Sequence, residues 1–369
     1  MQWKVYLVKH MKRNYGIDLL RMILMLMIVL LHILGHGGIL DAVSPMTGKY
    51  AVLWLMEAFA YCAVNCYALI SGYVHFGSRY RFSSFGLIYL QALLYSVSLA
   101  IVVWLINPAS FSLEQLFSFV FPVSRGVYWY LSAYFGLFIM IPFLNAAVNA
   151  ISKEQARTYL LLAFVVFTIL PTLARYDTFR IDSGYSTFWL AFLYVIGACI
   201  RKFGWFDSLA PRKAFGVYLL CVLVSWGTKL CFEGITMRLL GTPVTVFYFI
   251  TYTSPTIVMA AAALFLAFKN APISPGLSRI AAVFSPAAFG VYLIHDHDAV
   301  SDFFIVDRFG FLAESPLLLM TAGVILSALA VFTVCLLIDW VRWKVFIRLR
   351  VKDRLEKLET RFTRLGHFN

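Results

Sequence analysis

Charge is what this chain has least of. Of its 369 residues only 13% are Asp, Glu, Lys or Arg, against 62% hydrophobic, and the mean hydropathy is +0.82. A soluble domain carries about a quarter of its residues as charges, so a water-exposed globular fold is excluded. Cysteine is sparse too: the six (Cys62, Cys66, Cys199, Cys221, Cys231, Cys335) all lie in or beside apolar runs. They read as small membrane-buried residues and not as a disulfide framework. No internal repeat and no separate soluble domain is evident.

What remains is an all-α polytopic membrane protein with about ten transmembrane helices. Apolar runs place them at 17–38, 51–75, 85–107, 127–148, 158–174, 187–201, 213–233, 244–268, 282–299 and 317–341. The first has basic residues before it and no small-residue cleavage pattern after it, which predicts a retained span. Of 31 Lys and Arg, 23 fall in the N-terminus, alternate loops and the C-terminal tail, 7 in the other loops, and Arg21 in a span. That bias predicts cytoplasmic N- and C-termini and a cell inner or plasma membrane. It also accounts for the net charge of +13 without a nucleic-acid partner. Residues 1–345 form the membrane domain. The tail, 346–369, has Val351, Leu355, Leu358, Phe362 and Leu365 at steps of four and three, a helix with one apolar stripe. It is expected to lie on membrane lipid, with a coiled contact to a second copy, and hence a homodimer, as the alternative.

The first span, IDLLRMILMLMIVLLHILGHGG, carries ionisable groups where they are expensive, and such groups suggest a site. Arg21 and His32 are eleven positions apart, so they share a helix face and stand roughly 16 Å apart along the axis. His32 lies about 9 Å below the outer boundary, and Glu57 in the second span reaches a similar depth. A carboxylate beside an imidazole fixes its tautomer and raises its basicity, as a general base requires. Arg79 and Arg81 follow the second span at the same mouth as Arg21, and three guanidinium groups there suit phosphates. A ligand with phosphates at that mouth and a reactive end near His32 has the shape of coenzyme A with its pantetheine arm.

Other patterns are weaker. His32 and His36 are at i, i+4, and HDHD at 295–298 offers more donors, yet no third ligand stands at a fixed motif position, and no metal is expected. Ser71 in LISGY lacks a nucleophile elbow and suits close helix packing. The aromatics Tyr128, Trp129 and Tyr130 stand at an interfacial belt and suit stacking on a sugar.

Together these residues resemble the acyltransferase 3 family of integral membrane acyltransferases. The matching features are Arg21 and His32 with ten residues between them, VNCYALISGY at 64–73, Arg79 and Arg81, WYL at 129–131 with Pro142 downstream, and FGVYLIH at 289–295. The resemblance implies transfer of an acyl group, usually acetyl, from cytoplasmic acyl-CoA to a hydroxyl of a cell-surface polysaccharide or lipid-linked glycan. By the same resemblance His32 looks like the catalytic histidine, and the matched depth of Glu57 makes it the expected helper. Arg21, Arg79 and Arg81, with Ser71 and Tyr73, look like the donor site; Trp129, Tyr130, Trp189 and His295, near Asp182 and Asp298, would meet the acceptor. Acyl-CoA is then a co-substrate, and no permanently bound cofactor is expected. Direct transfer and an acyl-histidine route both remain open. Two other classes fit the same charges: a secondary transporter or flippase using His32, Glu57 and Arg21 as a relay, and a non-catalytic partner in glycan assembly.

Overall fold

A computed structural model describes residues 13–108, 112–244 and 249–365. The described residues are helical with no strand. Among the described residues eight helices are long and apolar enough to cross a membrane. In chain order the helical segments at the ten expected spans are α1 (Tyr15–Leu34), α2 (Gly48–His75), α3 (Phe82–Ile106), α4 (Trp129–Ala150), α5 (Lys153–Ala174), α6 (Thr187–Phe203), α7 (Pro211–Leu240), α8 (Pro255–Asn270), α9 (Pro275–His295) and α10 (Leu317–Arg348), all but α6 and α8 belonging to the eight. The two short ones, α6 and α8, have 17 and 16 residues. Each is therefore about 25 Å long, short of a hydrocarbon core of about 30 Å.

Local sequence sets the boundaries. Ser186 caps α6 by accepting the backbone N–H of Trp189, and Gly204 ends it in a left-handed conformation at φ +62°. The eighth span, expected over 244–268, begins only at Pro255: Ser254 precedes a proline that suits the first helical turn. Positions 245–248 of that expected span lie outside the described residues, as do 1–12 and 366–369 of the two expected domains. The seventh span runs on to Leu240. Lys229 lies inside α7, fully buried and paired with Glu233.

α1 is central, packing against α2, α8, α9 and α10. The tightest crossing is α2 on α6, where two glycines meet opposing backbones. A Cβ on Gly72 would lie 1.9 Å from the Tyr194 carbonyl oxygen, and one on Gly197 would lie 2.1 Å from that of Leu69. Small residues permit such approach in a membrane, where packing rather than water exclusion holds helices together. α5 is the loosest span, interrupted by a π turn at Val165–Ile169 and only 17% buried.

Three segments are broken or bent. α2 is interrupted at Tyr61–Cys62, and α9 at Ser285–Ala287 beside Pro286. After α10 the chain turns at Leu349–Arg350 into α11 (Val351–Leu365), which packs against α3. Its Glu359 accepts the backbone N–H groups of Phe82 and Ser83 at the start of α3, and Glu356 pairs with Arg81 at 3.0 Å. The tail helix thus docks by charge on the basic end of the bundle.

Candidate active site

Two places in the bundle carry the residues that the sequence singled out, one at each end of α1. At the basic end Arg21 donates to Asp18 at 3.2 Å, and Asp18 also accepts from Arg13. Tyr134 lies beside both Ser71 and Arg21. His75 is within electrostatic reach of Arg21 and shares a pocket of about 40 Å³ with Arg79 and Arg81. The three arginines are therefore grouped around the end of α2. Two of them hold carboxylates: Arg21 holds Asp18, and Arg81 holds Glu356 of the tail. Tyr73 is elsewhere. Two positions along a helix rotate it about 200° from Ser71, so it packs on Phe265 and accepts from Arg201.

The tail contact has its own electrostatics. Burial alone would raise the Glu359 carboxyl, but hydrogen bonds from Ser83 and from the Phe82 and Ser83 backbone, with Arg79 nearby, outweigh it and hold the group below its usual range.

His32 lines a cavity of about 420 Å³ at the other end of α1, within the volume range of small-molecule sites. Its Nδ1 faces Asp296 Oδ1 at 3.4 Å, a contact just long of a hydrogen bond. The rings of His36 and His295 stand 4.8 and 4.9 Å from the His32 ring. Glu57 opens onto the same cavity, and its buried Oε2 has no hydrogen-bond partner among the described residues. The carboxylate in contact with His32 is thus Asp296, supplied by the turn after α9, and Glu57 faces the cavity from α2.

Aromatic rings form the rest of the wall. Trp129 stacks against Tyr252 and tilts on Tyr185 at 4.5 Å, Tyr61 lies 4.9 Å from Tyr252, and Tyr130 borders Tyr67. Such faces suit a sugar ring. Trp129 and Tyr130 were singled out by sequence; Tyr61, Tyr185, Tyr252 and Asp296 were not assigned this place. The signal for Asp296 was the HDHD run itself.

Trp189 and His295 are fully buried and do not line the cavity. Trp189 donates its indole N–H to Asn65, which in turn donates to the Tyr252 carbonyl, so it holds the aromatic wall from behind. His295 bonds the Val291 carbonyl through Nδ1 and backs the His32 ring. Asp182 sits three residues before Tyr185 in the turn that delivers that ring to the cavity. Among the described residues no three His, Cys, Asp or Glu side chains are grouped to hold a metal.

Behind Glu57 stands a second charged cluster. Lys229 and Glu233 form an ion pair at 2.5 Å, Tyr50 donates to Glu233 at 3.0 Å, and the Lys229 ammonium lies 3.7 Å over the Trp54 ring.

Fold and site together define a multi-pass membrane protein with a histidine and two carboxylates enclosed by aromatic rings inside the bundle. The acyltransferase 3 family, described as an acyltransferase domain, matches residues 14–340. The chain belongs to that family and is a membrane acyltransferase. No curated protein and no solved structure matches it.

Proposed function

We propose that the protein moves an acyl group, acetyl in the first instance, from acyl-CoA to a hydroxyl of a cell-surface polysaccharide or lipid-linked glycan. The observation that carries this reading is the pairing along α1 of a phosphate-suited arginine with an enclosed imidazole, with Tyr67 between them: Tyr67 donates to the Arg21 carbonyl at 2.5 Å and also lines the His32 cavity.

Acyl-CoA docks at the cytoplasmic mouth with its phosphates on Arg21, Arg79 and Arg81, beside Ser71, and its pantetheine arm follows α1. The acceptor sugar stacks on Trp129, Tyr185 and Tyr252. When the acceptor binds, the Asp296–His32 contact tightens to a hydrogen bond that holds a proton on Nδ1, which leaves Nε2 as the base. Nε2 takes the proton from the acceptor hydroxyl as its oxygen attacks the thioester carbonyl carbon. The tetrahedral adduct collapses, the C–S bond breaks, and the departing thiolate takes the proton from Nε2. In the alternative route Nε2 itself attacks the thioester carbonyl and the C–S bond breaks to release the CoA thiolate; the acceptor oxygen then attacks the acyl-histidine carbonyl, its proton passes to the thiolate, and the C–N bond breaks to return Nε2. Glu57, with its free oxygen, accepts from a second hydroxyl of the acceptor.

Acetyl-CoA binding to the purified protein tests the donor half without an acceptor in hand. Binding that is weakened by Arg21→Ala and kept by His32→Ala supports the reading. Absence of binding in every form refutes it and turns attention to transport.

A further inference from the structure

A second cavity lies on the opposite flank of α6, apart from the His32 centre and the arginine mouth. It has about 790 Å³ and runs between α5, the end of α6, the 204–210 turn and α8. Lys153, Arg157 and Lys213 stand at its mouth, and Leu160, Phe164, Ile196 and Leu266 are among its apolar walls. From Lys153 to Phe164 the α5 wall is 12 residues long, a rise of roughly 16 Å, which matches one leaflet of a hydrocarbon core about 30 Å thick.

The polar groups at the mouth are matched to an anion. Lys153 and Arg157 have Glu154 nearby, but that carboxylate accepts from Ser152. Asp207, the other acid in reach, is held by Lys269, and Lys202 is spent on the carbonyls that end α4. Trp205 lines this cavity, and its buried indole N–H has no hydrogen-bond partner among the described residues. A buried indole N–H ordinarily finds an acceptor, and an ester carbonyl or phosphate oxygen supplies one. On the membrane side, Leu161 and Leu162 of the loosely packed α5 are exposed.

We infer that this groove is a binding site for one anionic phospholipid of the leaflet at the basic end, with the phosphate at Lys153, Arg157 and Lys213, an ester oxygen on Trp205 and an acyl chain along α5. Basic pockets between membrane helices recognise such headgroups. The inference is independent of the acyl-transfer reading, since it shares no residue with it.

The test is native mass spectrometry of the full-length detergent-purified protein with phosphatidylglycerol or phosphatidylcholine, followed by crosslinking with a photoactivatable phosphatidylglycerol. Each basic residue beside an anionic surface is worth roughly fivefold in affinity. Wild type is therefore expected to retain phosphatidylglycerol over phosphatidylcholine, with crosslinks in 153–164 and 196–213. K153Q/R157Q/K213Q should lose that preference by roughly 100-fold, W205F by a few fold, and R157K should keep it. Equal retention of both lipids by wild type, crosslinks confined to other segments, or displacement of the lipid by inorganic phosphate or acetyl-CoA would overturn the assignment. The last result would give the groove to a soluble phosphate compound.

Discussion

Asp296 Oδ1 stands 3.4 Å from His32 Nδ1, although the two residues come from opposite ends of the sequence and from different elements, α1 and the turn after α9. The break at Ser285–Ala287 and the short helix that follows bring that turn over the end of α1. His32→Ala should lower acyl transfer by roughly 10²- to 10⁴-fold, the usual contribution of a general base, while acetyl-CoA binding persists. Asp296→Asn should cost on the order of 10²-fold, short of the ~10⁴-fold reached when a catalytic histidine is held in the wrong tautomer. Steady-state transfer rates of the two variants, at matched expression, decide this. An Asp296→Asn protein with wild-type kcat would remove the aspartate from the mechanism.

At the other end of α1, Arg21→Ala should weaken acetyl-CoA binding by roughly 10- to 100-fold, since a charge-assisted hydrogen bond is worth about 1.5–3 kcal/mol. Arg81→Ala should matter less, because that guanidinium is the more exposed of the two, 46% against 32%, and its charge is more screened by solvent. Isothermal titration of both variants gives the order.

The docked tail carries a pH dependence with a definite sign. The Glu359 carboxyl is held below its usual range, so it contributes to docking fully above the ordinary glutamate value of about 4.3. That contribution is lost as pH falls through the depressed value in the folded protein. Spin labels on α3 and α11 should report the helix leaving α3 in acid, and Glu359→Gln should flatten the profile. An unchanged profile in that variant would place the titration elsewhere.

Glycine at 72 and 197 is set by the distance between backbones. Gly72→Val or Gly197→Leu should cost at least about 1–3 kcal/mol, the range for overpacked cores, and should lower Tm in detergent. The Gly216→Ala change, where a Cβ meets nothing within 4 Å, is the matched control.

The buried Lys229–Glu233 pair predicts an asymmetry. Glu233→Ala leaves an ammonium without its carboxylate and should destabilise by about 3–5 kcal/mol, whereas replacing both residues by Met should cost much less. Urea unfolding of the single and double variants measures the difference.

Spans were legible because about twenty apolar residues in a row leave little choice, and Arg21 and His32 drew attention to the first of them because ionisable groups are costly there. Less legible was which distant residues would meet these two. Glu57 matched His32 in depth, but depth along a helix says nothing of its rotation, and the contacting acid came from a turn seven spans further on. Trp189 fell within the right region yet faces Asn65, because a single sequence does not reveal which face of a short helix looks into a cavity. Tyr61, Tyr185 and Tyr252 share that obstacle: each lies at a helix break or in a loop, where periodicity gives no orientation. The fate of the tail turned on Glu356 and Glu359, which read as ordinary polar positions of an amphipathic helix until α3 is placed beside them.

Tyr67 stands where the two ends of the first helix come closest to sharing a wall. Its hydroxyl is tied to the backbone at Arg21 and its ring borders the His32 chamber. On the acyl-transfer proposal, a thioester arm laid along α1 meets this ring, and the phenol is then expected to act as the doorsill between the two ends.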